Sequence, residues 1–289
     1  MVKSIHFILP GGGVRGSFQA GFLYELFTKY KNSFEIYRID GTSVGSINGI
    51  TTLLGEYEVL KNNWLNINNI NDFFGNWSNT SFINIYYGFY KNGIYDHTTL
   101  KNKLIDNLEK KKNNTNKEIL DKFSCPVIDV LEAKLEYING SNSNIFEFVT
   151  ASASPWVLSN PIEINNKIYT DGSLLETYPI KYVNDSGADL VIIVGFDQEV
   201  VNFEKPNCTN LIYFLVTLID IGRFNSINSK KIVEYIEKGI CIPIINPMTC
   251  LFTDFTSETI SIGFEQGRDS AEQFYKTYLQ NYLEYFPNQ

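Results

Sequence analysis

Two short glycine-rich motifs near the amino terminus have residue types and a spacing that could support chemistry. The first, GGGVRG over residues 11–16, lies between an apolar run and an amphipathic run. The second, GTSVG over residues 41–45, places Ser43 between two glycines at the spacing G-x-S-x-G. This spacing is typical of a nucleophile elbow, a sharp strand-to-helix turn from which a serine hydroxyl projects. The alternative interpretation is that Ser43 simply caps a helix in a tight turn.

The first glycine motif has two interpretations. Gly11, Gly13 and Gly16 fit G-x-G-x-x-G after a strand and before a helix, the fingerprint of a dinucleotide site, and Asp40 near the end of the next strand could bind a ribose. Alternatively, successive glycine N–H groups point into one small space and stabilise the oxyanion of an acyl transfer. Each such preorganised donor is worth roughly 3 kcal/mol in the transition state. A Walker loop is excluded because no Gly-Lys-Ser/Thr follows.

A serine nucleophile needs a proton acceptor, and the chain has only two histidines. His6 lies within the first expected strand, where an ordinary buried or edge position is expected, and His97 begins a helix. Asp171 follows KIYT and precedes a glycine, so we expect it at a strand end near the site. A carboxylate with a reference pKa of ~3.9 is a weak base in water. To accept the serine proton, Asp171 must act directly on the serine, in a desolvated pocket that raises the basicity of the carboxylate. Alternatively, Asp171 is an Asp-Gly turn residue.

Alternating strand and helix patterns surround these motifs. Apolar runs predict buried strands at residues 4–9, 34–40 and 188–196, and helical spacing of apolar residues predicts a helix over residues 16–30. This repeated order predicts an α/β fold with a parallel sheet. Further strands are expected within 126–140, at 167–171 and at 239–246, and further helices at 43–55, at 97–112 and at 257–286, the last broken near Gly263 or Gly267.

The overall composition bounds the partners of the 289-residue chain. Its net charge is −8, which argues against a nucleic-acid partner because binding phosphates needs clustered Lys and Arg. The lysines of residues 101–112 are expected to form a solvated helix face. With two histidines a histidine-rich metal site is not expected.

The cellular location is also constrained. The four cysteines form no CxxC pair, so we expect buried reduced thiols in an intracellular protein. The start lacks the long apolar core of a signal peptide, and the longest apolar stretch, residues 211–221, is too short to span a bilayer. We therefore expect a protein that is cytoplasmic or peripheral to membranes, without a signal peptide or transmembrane helix.

Together with the DGS of residues 171–173, the two glycine motifs resemble the patatin-like phospholipases. That family has G-G-G-x-R/K-G, then G-x-S-x-G, then D-G-G or D-G-A, and the stretches 93–104 and 151–180 are similar to it as well. The resemblance covers most of the chain from Ile5 to about Phe196. It implies a three-layer α/β/α fold with a mainly parallel central sheet, in a single domain over residues 1–289. Within that domain the core is expected at about 5–196 and a helical C-terminal part at about 209–286.

The resemblance implies a Ser–Asp dyad rather than a triad with histidine. Carried over by motif, Ser43 matches the nucleophile and Asp171 the general base. This sequence departs from the family at Ser173, where Gly or Ala is usual, and a hydroxyl there could crowd the turn or hydrogen-bond to the carboxylate. The oxyanion hole is implied to comprise Gly12, Gly13 and the elbow's own Val44, with Arg15 adjacent.

The implied activity is that of a lipid acyl hydrolase of the phospholipase A type, which acts on phospholipid or another lipid ester without a metal or organic cofactor. The dinucleotide interpretation leaves GTSVG and DGS unexplained. The alternatives are a soluble carboxylesterase on the same fold and a catalytically silent lipid-binding protein. Transient membrane-surface contact and an unidentified protein activator are left open by the sequence.

One aromatic stretch could line an acyl groove or touch a lipid interface, and core packing is the equal alternative. It comprises Phe73, Phe74, Trp77, Phe82, Tyr86, Tyr87, Phe89 and Tyr90.

Overall fold

A central sheet organises the protein. The computed structural model describes residues 2–74, 98–155, 158–196, 227–246, 250 and 252–280. Within these residues the chain forms an eight-stranded sheet. Its strands are β1 (Lys3–Leu9), β2 (Phe34–Gly41), β3 (Phe123–Asp129), β4 (Lys134–Asn139), β5 (Ile162–Ile164), β6 (Lys167–Asp171), β7 (Leu190–Phe196) and β8 (Ile242–Asn246).

The sheet is mainly parallel, as the sequence predicts. The strand order is β5-β6-β3-β2-β1-β7-β8, and β4 pairs with β3 off this path. The pairs β1–β2, β1–β7, β2–β3 and β7–β8 are parallel, whereas β3–β4, β3–β6 and β5–β6 are antiparallel. Parallel neighbouring strands have their carboxyl ends at the same edge of the sheet. The two glycine motifs, which follow β1 and β2, therefore lie side by side.

Helices complete the described part of the fold, and the residues 172–174 and 13–15 form single turns of 3-10 helix. The helices are α1 (Gly16–Lys29), α2 (Val44–Leu53), α3 (Tyr57–Leu65), α4 (Ile70–Phe74), α5 (Thr98–Asn113), α6 (Lys117–Leu120), α7 (Ile145–Ser152), α8 (Ile227–Glu237) and α9 (Ser257–Phe274). A π-helix, Tyr275–Gln280, extends α9. Across the described residues, every helix is too short or too polar to span a lipid bilayer.

Both faces of the sheet are buried, which explains the continuous apolar runs of its inner strands. On β1, Phe7 and Leu9 belong to the larger core cluster with α1, whereas Ile8 belongs to a second cluster with α8. On β7, Ile192 faces the larger cluster and Ile193 the smaller one. The alternation of side chains across each strand therefore produces three layers, as expected for α/β/α.

The predicted break of the last helix near Gly263 or Gly267 is wrong. Helix α9 runs through both residues and packs along α1. A Cβ built on Gly267 would lie 2.1 Å from the Phe18 carbonyl oxygen, and one on Gly21 would lie 1.9 Å from the Phe264 carbonyl oxygen. These glycines allow two helix backbones to approach closely; they do not interrupt the helix.

Some expectations concern residues that the structure does not describe. The segments 75–97, 197–226 and 281–289 lie outside the described residues, and with them His97 and most of the aromatic stretch. The single domain over residues 1–289 therefore stays a prediction.

Candidate active site

Ser43 lies on the sharp turn that the GTSVG motif predicts. β2 ends at Gly41, α2 begins at Val44, and Ser43 between them has φ +55° and ψ −127°. Positive φ is rare for a residue other than glycine and costs on the order of 1–3 kcal/mol where the surrounding structure imposes it. Ser43 occupies the N-cap position of α2 but its side chain makes no capping hydrogen bond. The helix-cap interpretation of this serine therefore has no support in the geometry.

The two glycines of the motif are required by close contacts. A Cβ on Gly41 would lie 2.2 Å from the Gly45 carbonyl oxygen, and a Cβ on Gly45 would lie 2.1 Å from the Leu9 carbonyl oxygen. Both distances are far inside contact range, so a side chain at either position would displace backbone. The spacing G-x-S-x-G thus has a direct steric cause in this protein.

Backbone and hydroxyl hydrogen bonds hold the elbow in place. The Thr42 N–H donates to the Leu9 carbonyl at 2.9 Å, and the Ser46 hydroxyl donates to the Ser43 carbonyl at 2.6 Å. The Ser43 N–H donates to the Ser152 hydroxyl oxygen at 3.1 Å. The strained residue is therefore fixed from three sides.

Asp171 is the last residue of β6, at the strand end where the sequence places it. It pairs with Val127 of β3 and is buried. Its Oδ1 accepts a hydrogen bond from the Ser173 N–H at 2.8 Å, which caps the turn that follows. The next residue must be small, because a Cβ on Gly172 would lie 2.4 Å from the Pro126 carbonyl oxygen.

The end of α7 joins these two residues. Ser152 accepts from the Ser43 N–H through its hydroxyl, and the Ser154 carbonyl accepts from the Asp171 N–H at 3.1 Å. The ASAS sequence of residues 151–154 therefore holds both members of the expected dyad by their backbone amides. This places the elbow and the end of β6 beside one short segment.

The glycine loop turns beside the elbow and is held by a distant part of the chain. Gly13 has φ +58°, and a Cβ there would lie 2.0 Å from the Phe252 carbonyl oxygen. The same carbonyl accepts from the Val14 N–H at 2.9 Å. The buried Arg15 donates from Nε and from a terminal nitrogen to the Cys250 carbonyl, at 3.1 and 2.9 Å.

Three backbone donors of the site have no acceptor among the residues that the structure describes. The N–H groups of Gly12, Gly13 and Val44 donate no hydrogen bond to any residue that the structure describes. Buried N–H groups are almost always paired, so three unused donors in two adjoining turns are unusual. Such donors suit a negatively charged oxygen of a bound molecule.

Comparison with known proteins identifies the family. A sequence model of the patatin-like phospholipase family matches residues 7–184, more than half of the 289-residue chain. The chain belongs to the patatin-like phospholipase family. Family membership indicates lipid acyl hydrolase activity and lipid substrates.

Among solved structures, this patatin-like chain is similar to the crystal structure of VipD from Legionella pneumophila. The two chains are 13% identical with a TM-score of 0.45, over 96% of this chain and 67% of that chain. No curated protein sequence matches the chain.

The departure from the patatin-like pattern at Ser173 is accommodated. Ser173 is buried, and its backbone N–H, rather than its hydroxyl, makes the 2.8 Å bond to Asp171. Any residue has this N–H. The interaction with the carboxylate therefore does not depend on the side chain that differs from the family.

Asp40 and His6 form a buried structural network instead of a ligand site. One carboxylate oxygen of Asp40 lies 2.8 Å from His6 Nε2, and Arg38 Nε donates to the same carboxylate at 2.9 Å. Ser124 donates to it as well, at 2.5 Å. With its carboxylate engaged and fully buried, Asp40 offers nothing to a ribose, which removes one support of the dinucleotide interpretation.

One acidic group among the described residues has metal-ligand spacing. Possible ligand atoms of Asp129, Glu132 and Glu136 lie within 4.8 Å of one another. The Lys167 ammonium lies among them, at 2.8, 3.0 and 3.6 Å from the three carboxylates. The positive charge of Lys167 therefore balances part of the negative charge of these three carboxylates.

The cysteines offer no competing nucleophile in the described part of the patatin-like chain. Cys125, Cys241 and Cys250 form no disulfide there. Burial raises the pKa of Cys241 to about 12 and also raises the pKa of Cys125 and Cys250. The thiols therefore stay protonated near neutral pH.

The described part of the aromatic stretch favours core packing. Phe73 is 7% exposed, and its ring centroid lies 5.0 Å from that of Phe255 and 5.9 Å from that of Trp64. It also lines a pocket beside α2 that includes Ile47 and Leu104. The side chain of Phe74 and the aromatic residues after it lie outside the described residues.

Sequence reasoning missed the residues that support the site from a distance. Ser152, Phe252 and Cys250 act through a hydroxyl or a backbone carbonyl, which carries no residue-type signature. The ASAS stretch was part of the family resemblance, and that was the available signal for Ser152. For Phe252 and Cys250 the sequence contains no comparable signal.

Proposed function

We propose that the protein is a serine ester hydrolase of the phospholipase A type, which releases fatty acid from phospholipid through a Ser43–Asp171 dyad. The conformation of Ser43 carries the proposal most directly. A buried serine held at φ +55° between two sterically required glycines, with no capping bond, has no evident structural purpose. Strain of this kind is typical of catalytic residues.

In the first half of the reaction, Asp171 removes the proton from the Ser43 hydroxyl as the oxygen attacks the ester carbonyl carbon. A tetrahedral intermediate forms with negative charge on the former carbonyl oxygen. When it collapses, the bond to the alcohol oxygen breaks and Asp171 returns the proton to the departing lysophospholipid. The acyl group stays on Ser43 as an ester.

In the second half, Asp171 removes a proton from water, and the hydroxide attacks the acyl-enzyme. The bond from the acyl carbon to Ser43 Oγ breaks, and Oγ recovers the proton. The products are a fatty acid and the free serine, so one water is consumed for each ester. No metal or cofactor takes part in these steps.

The N–H groups of Gly12, Gly13 and Val44, which have no acceptor within the described part of the chain, suit the oxyanion that forms in both halves. Each good donor to such an oxygen is worth roughly 3 kcal/mol in the transition state. Arg15 supports this loop through its two bonds to the Cys250 carbonyl. We therefore assign Arg15, which is expected beside the oxyanion hole, a positioning role.

A fluorophosphonate probe tests the dyad, because it reacts only with an activated serine. We expect labelling of the wild type, and none of Ser43→Ala or Asp171→Asn. Ser143→Ala removes an exposed serine and serves as the matched control, with wild-type labelling expected. Labelling that persists in Ser43→Ala would place the nucleophile elsewhere.

The choice between lipid and small soluble esters requires a second measurement. Fatty-acid release from phosphatidylcholine vesicles is compared with hydrolysis of p-nitrophenyl acetate, both in wild type and Ser43→Ala. Faster, Ser43-dependent release from vesicles is expected for a phospholipase. Turnover of the soluble ester alone would indicate a carboxylesterase on the same fold.

A further inference from the structure

One short segment, residues 172–180, contacts both glycine motifs. The Thr42 hydroxyl donates to the Glu176 carbonyl at 3.3 Å. The Gly11 N–H donates to the next carbonyl, that of Thr177, at 3.1 Å. Two consecutive carbonyls therefore set the position of the elbow relative to the glycine loop.

The side chain of Glu176 fixes the shape of this segment. It is 5% exposed, and its Oε1 accepts a hydrogen bond from the Ile180 N–H at 3.1 Å. The hydroxyl of Tyr137 on β4 lies close enough to the same carboxyl group to lower its pKa. The Glu176 N–H donates to the Gly172 carbonyl at 2.9 Å, so this residue is tied to both ends of its segment.

The burial of the Glu176 carboxyl group requires a physical explanation. Burial raises the pKa of Glu176, and the nearby Tyr137 hydroxyl and the bond from the Ile180 N–H offset only part of that effect. Burying such a group is unfavourable unless it is hydrogen-bonded. The proposed reaction has no proton transfer for Glu176, so its contribution is the acceptor that it provides inside the turn.

We infer that Glu176 is a positioning residue whose carboxyl group holds residues 176–180 in the shape that aligns the elbow with the oxyanion loop. The inference rests on the proposed function, since alignment matters only if Ser43 reacts. Its action passes through the carbonyls of Glu176 and Thr177. An amide oxygen at the same place can accept the same bond from the Ile180 N–H.

The test measures turnover per competent site. Hydrolysis of p-nitrophenyl butyrate gives kcat and KM, and stoichiometric fluorophosphonate labelling counts the active molecules. We expect Glu176→Ala to lower kcat per labelled site by about 10- to 100-fold, with KM changed less than about threefold, because small misplacements of reacting groups cost factors of this size. Glu176→Gln is expected within about threefold of wild type.

A second buried glutamate provides the matched control. Glu25 of α1 is 3% exposed and pairs with Lys29 and Arg268, away from the glycine motifs. Glu25→Ala is expected to lower stability but keep the wild-type kcat per labelled site. A purely structural role for Glu176 would make the two alanine variants behave alike.

The outcomes distinguish failure of the proposed function from failure of the positioning role. An unlabelled wild type would refute the proposed function itself. A labelled wild type with unchanged kcat in Glu176→Ala, or with Glu176→Gln as impaired as the alanine variant, would overturn only the positioning role. If Glu176→Ala does not fold, Tyr137→Phe removes the hydroxyl beside this carboxyl and is expected to lower kcat per labelled site about three- to tenfold; a wild-type value would overturn the inference.

Discussion

The Ser152 hydroxyl accepts a hydrogen bond from the Ser43 N–H at 3.1 Å and donates one to the Pro126 carbonyl at 2.8 Å. One buried hydroxyl thus joins the turn at Ser43 to β3, the strand that pairs with β6 and its terminal Asp171. The proposed nucleophile and base are held by a shared support, in addition to their own elements.

We expect Ser152→Ala to lower the free energy of unfolding by about 1–3 kcal/mol, since it leaves a buried donor and a buried acceptor without partners. It should also lower kcat by about tenfold or more, because the elbow loses one of its fixed contacts. Urea denaturation and ester hydrolysis measure the two effects. Exposed Ser143→Ala should change neither; a wild-type kcat in Ser152→Ala would contradict the shared support.

Gly45→Ala should abolish activity and lower the free energy of unfolding by about 3 kcal/mol, because its Cβ would lie 2.1 Å from the Leu9 carbonyl oxygen. Thermal unfolding and probe labelling report the two effects. Gly187→Ala is the matched control, since the nearest atom to its Cβ is the Tyr37 hydroxyl at 3.2 Å. Normal labelling of Gly45→Ala would contradict the prediction that the turn cannot accommodate a side chain at this position.

The sequence predicts the parts of this molecule that are encoded locally. Apolar runs located β1 and β7, and the GTSVG spacing located the turn at Ser43, because each feature depends on neighbouring residues. The order of strands and helices was enough for a mainly parallel sheet. The family match over residues 7–184 confirms that assignment.

The contacts that complete the site were not predictable in the same way. The Phe252 carbonyl meets Val14 across more than two hundred residues, and a backbone carbonyl has no side-chain signature. The prediction for Gly267 is wrong for a related reason: a glycine that interrupts a helix and one that allows a second backbone to approach look alike in one sequence. Which of the two roles a glycine has depends on whether a second helix, here α1, packs against it.

The ion pairs of Glu25 make stability depend on pH. Burial by itself would raise the pKa of Glu25, but hydrogen bonds and charges from Lys29 and Arg268 outweigh it and leave the pKa below its usual value. A carboxyl with a lowered folded-state pKa stabilises the protein above its unfolded-state pKa near 4.5, and this contribution is lost as pH falls through the folded-state value.

We therefore expect Glu25→Gln to lower the free energy of unfolding at pH 7 by about 1–2 kcal/mol, a moderate effect because both partners are partly solvated. The difference from wild type should shrink as pH falls below the unfolded-state pKa near 4.5 and through the lower folded-state value. Urea denaturation across pH 3–7 measures it. Glu58→Gln removes an exposed pair with Lys61 and should have little effect at any pH. A difference that is constant with pH would contradict the ion-pair origin.

Gly267→Ala tests the close contact of α9 with α1, because helix propensity and packing predict opposite signs. Alanine is the better helix former by about 1 kcal/mol, so an isolated helix would gain stability. In this fold the added Cβ would lie 2.1 Å from the Phe18 carbonyl oxygen, and we expect a loss of about 2 kcal/mol or more. Gly21→Ala, which meets the Phe264 carbonyl oxygen at 1.9 Å, should behave alike. Thermal and urea unfolding give the sign directly. An increase in stability would mean that the two helices are not pressed together at these glycines.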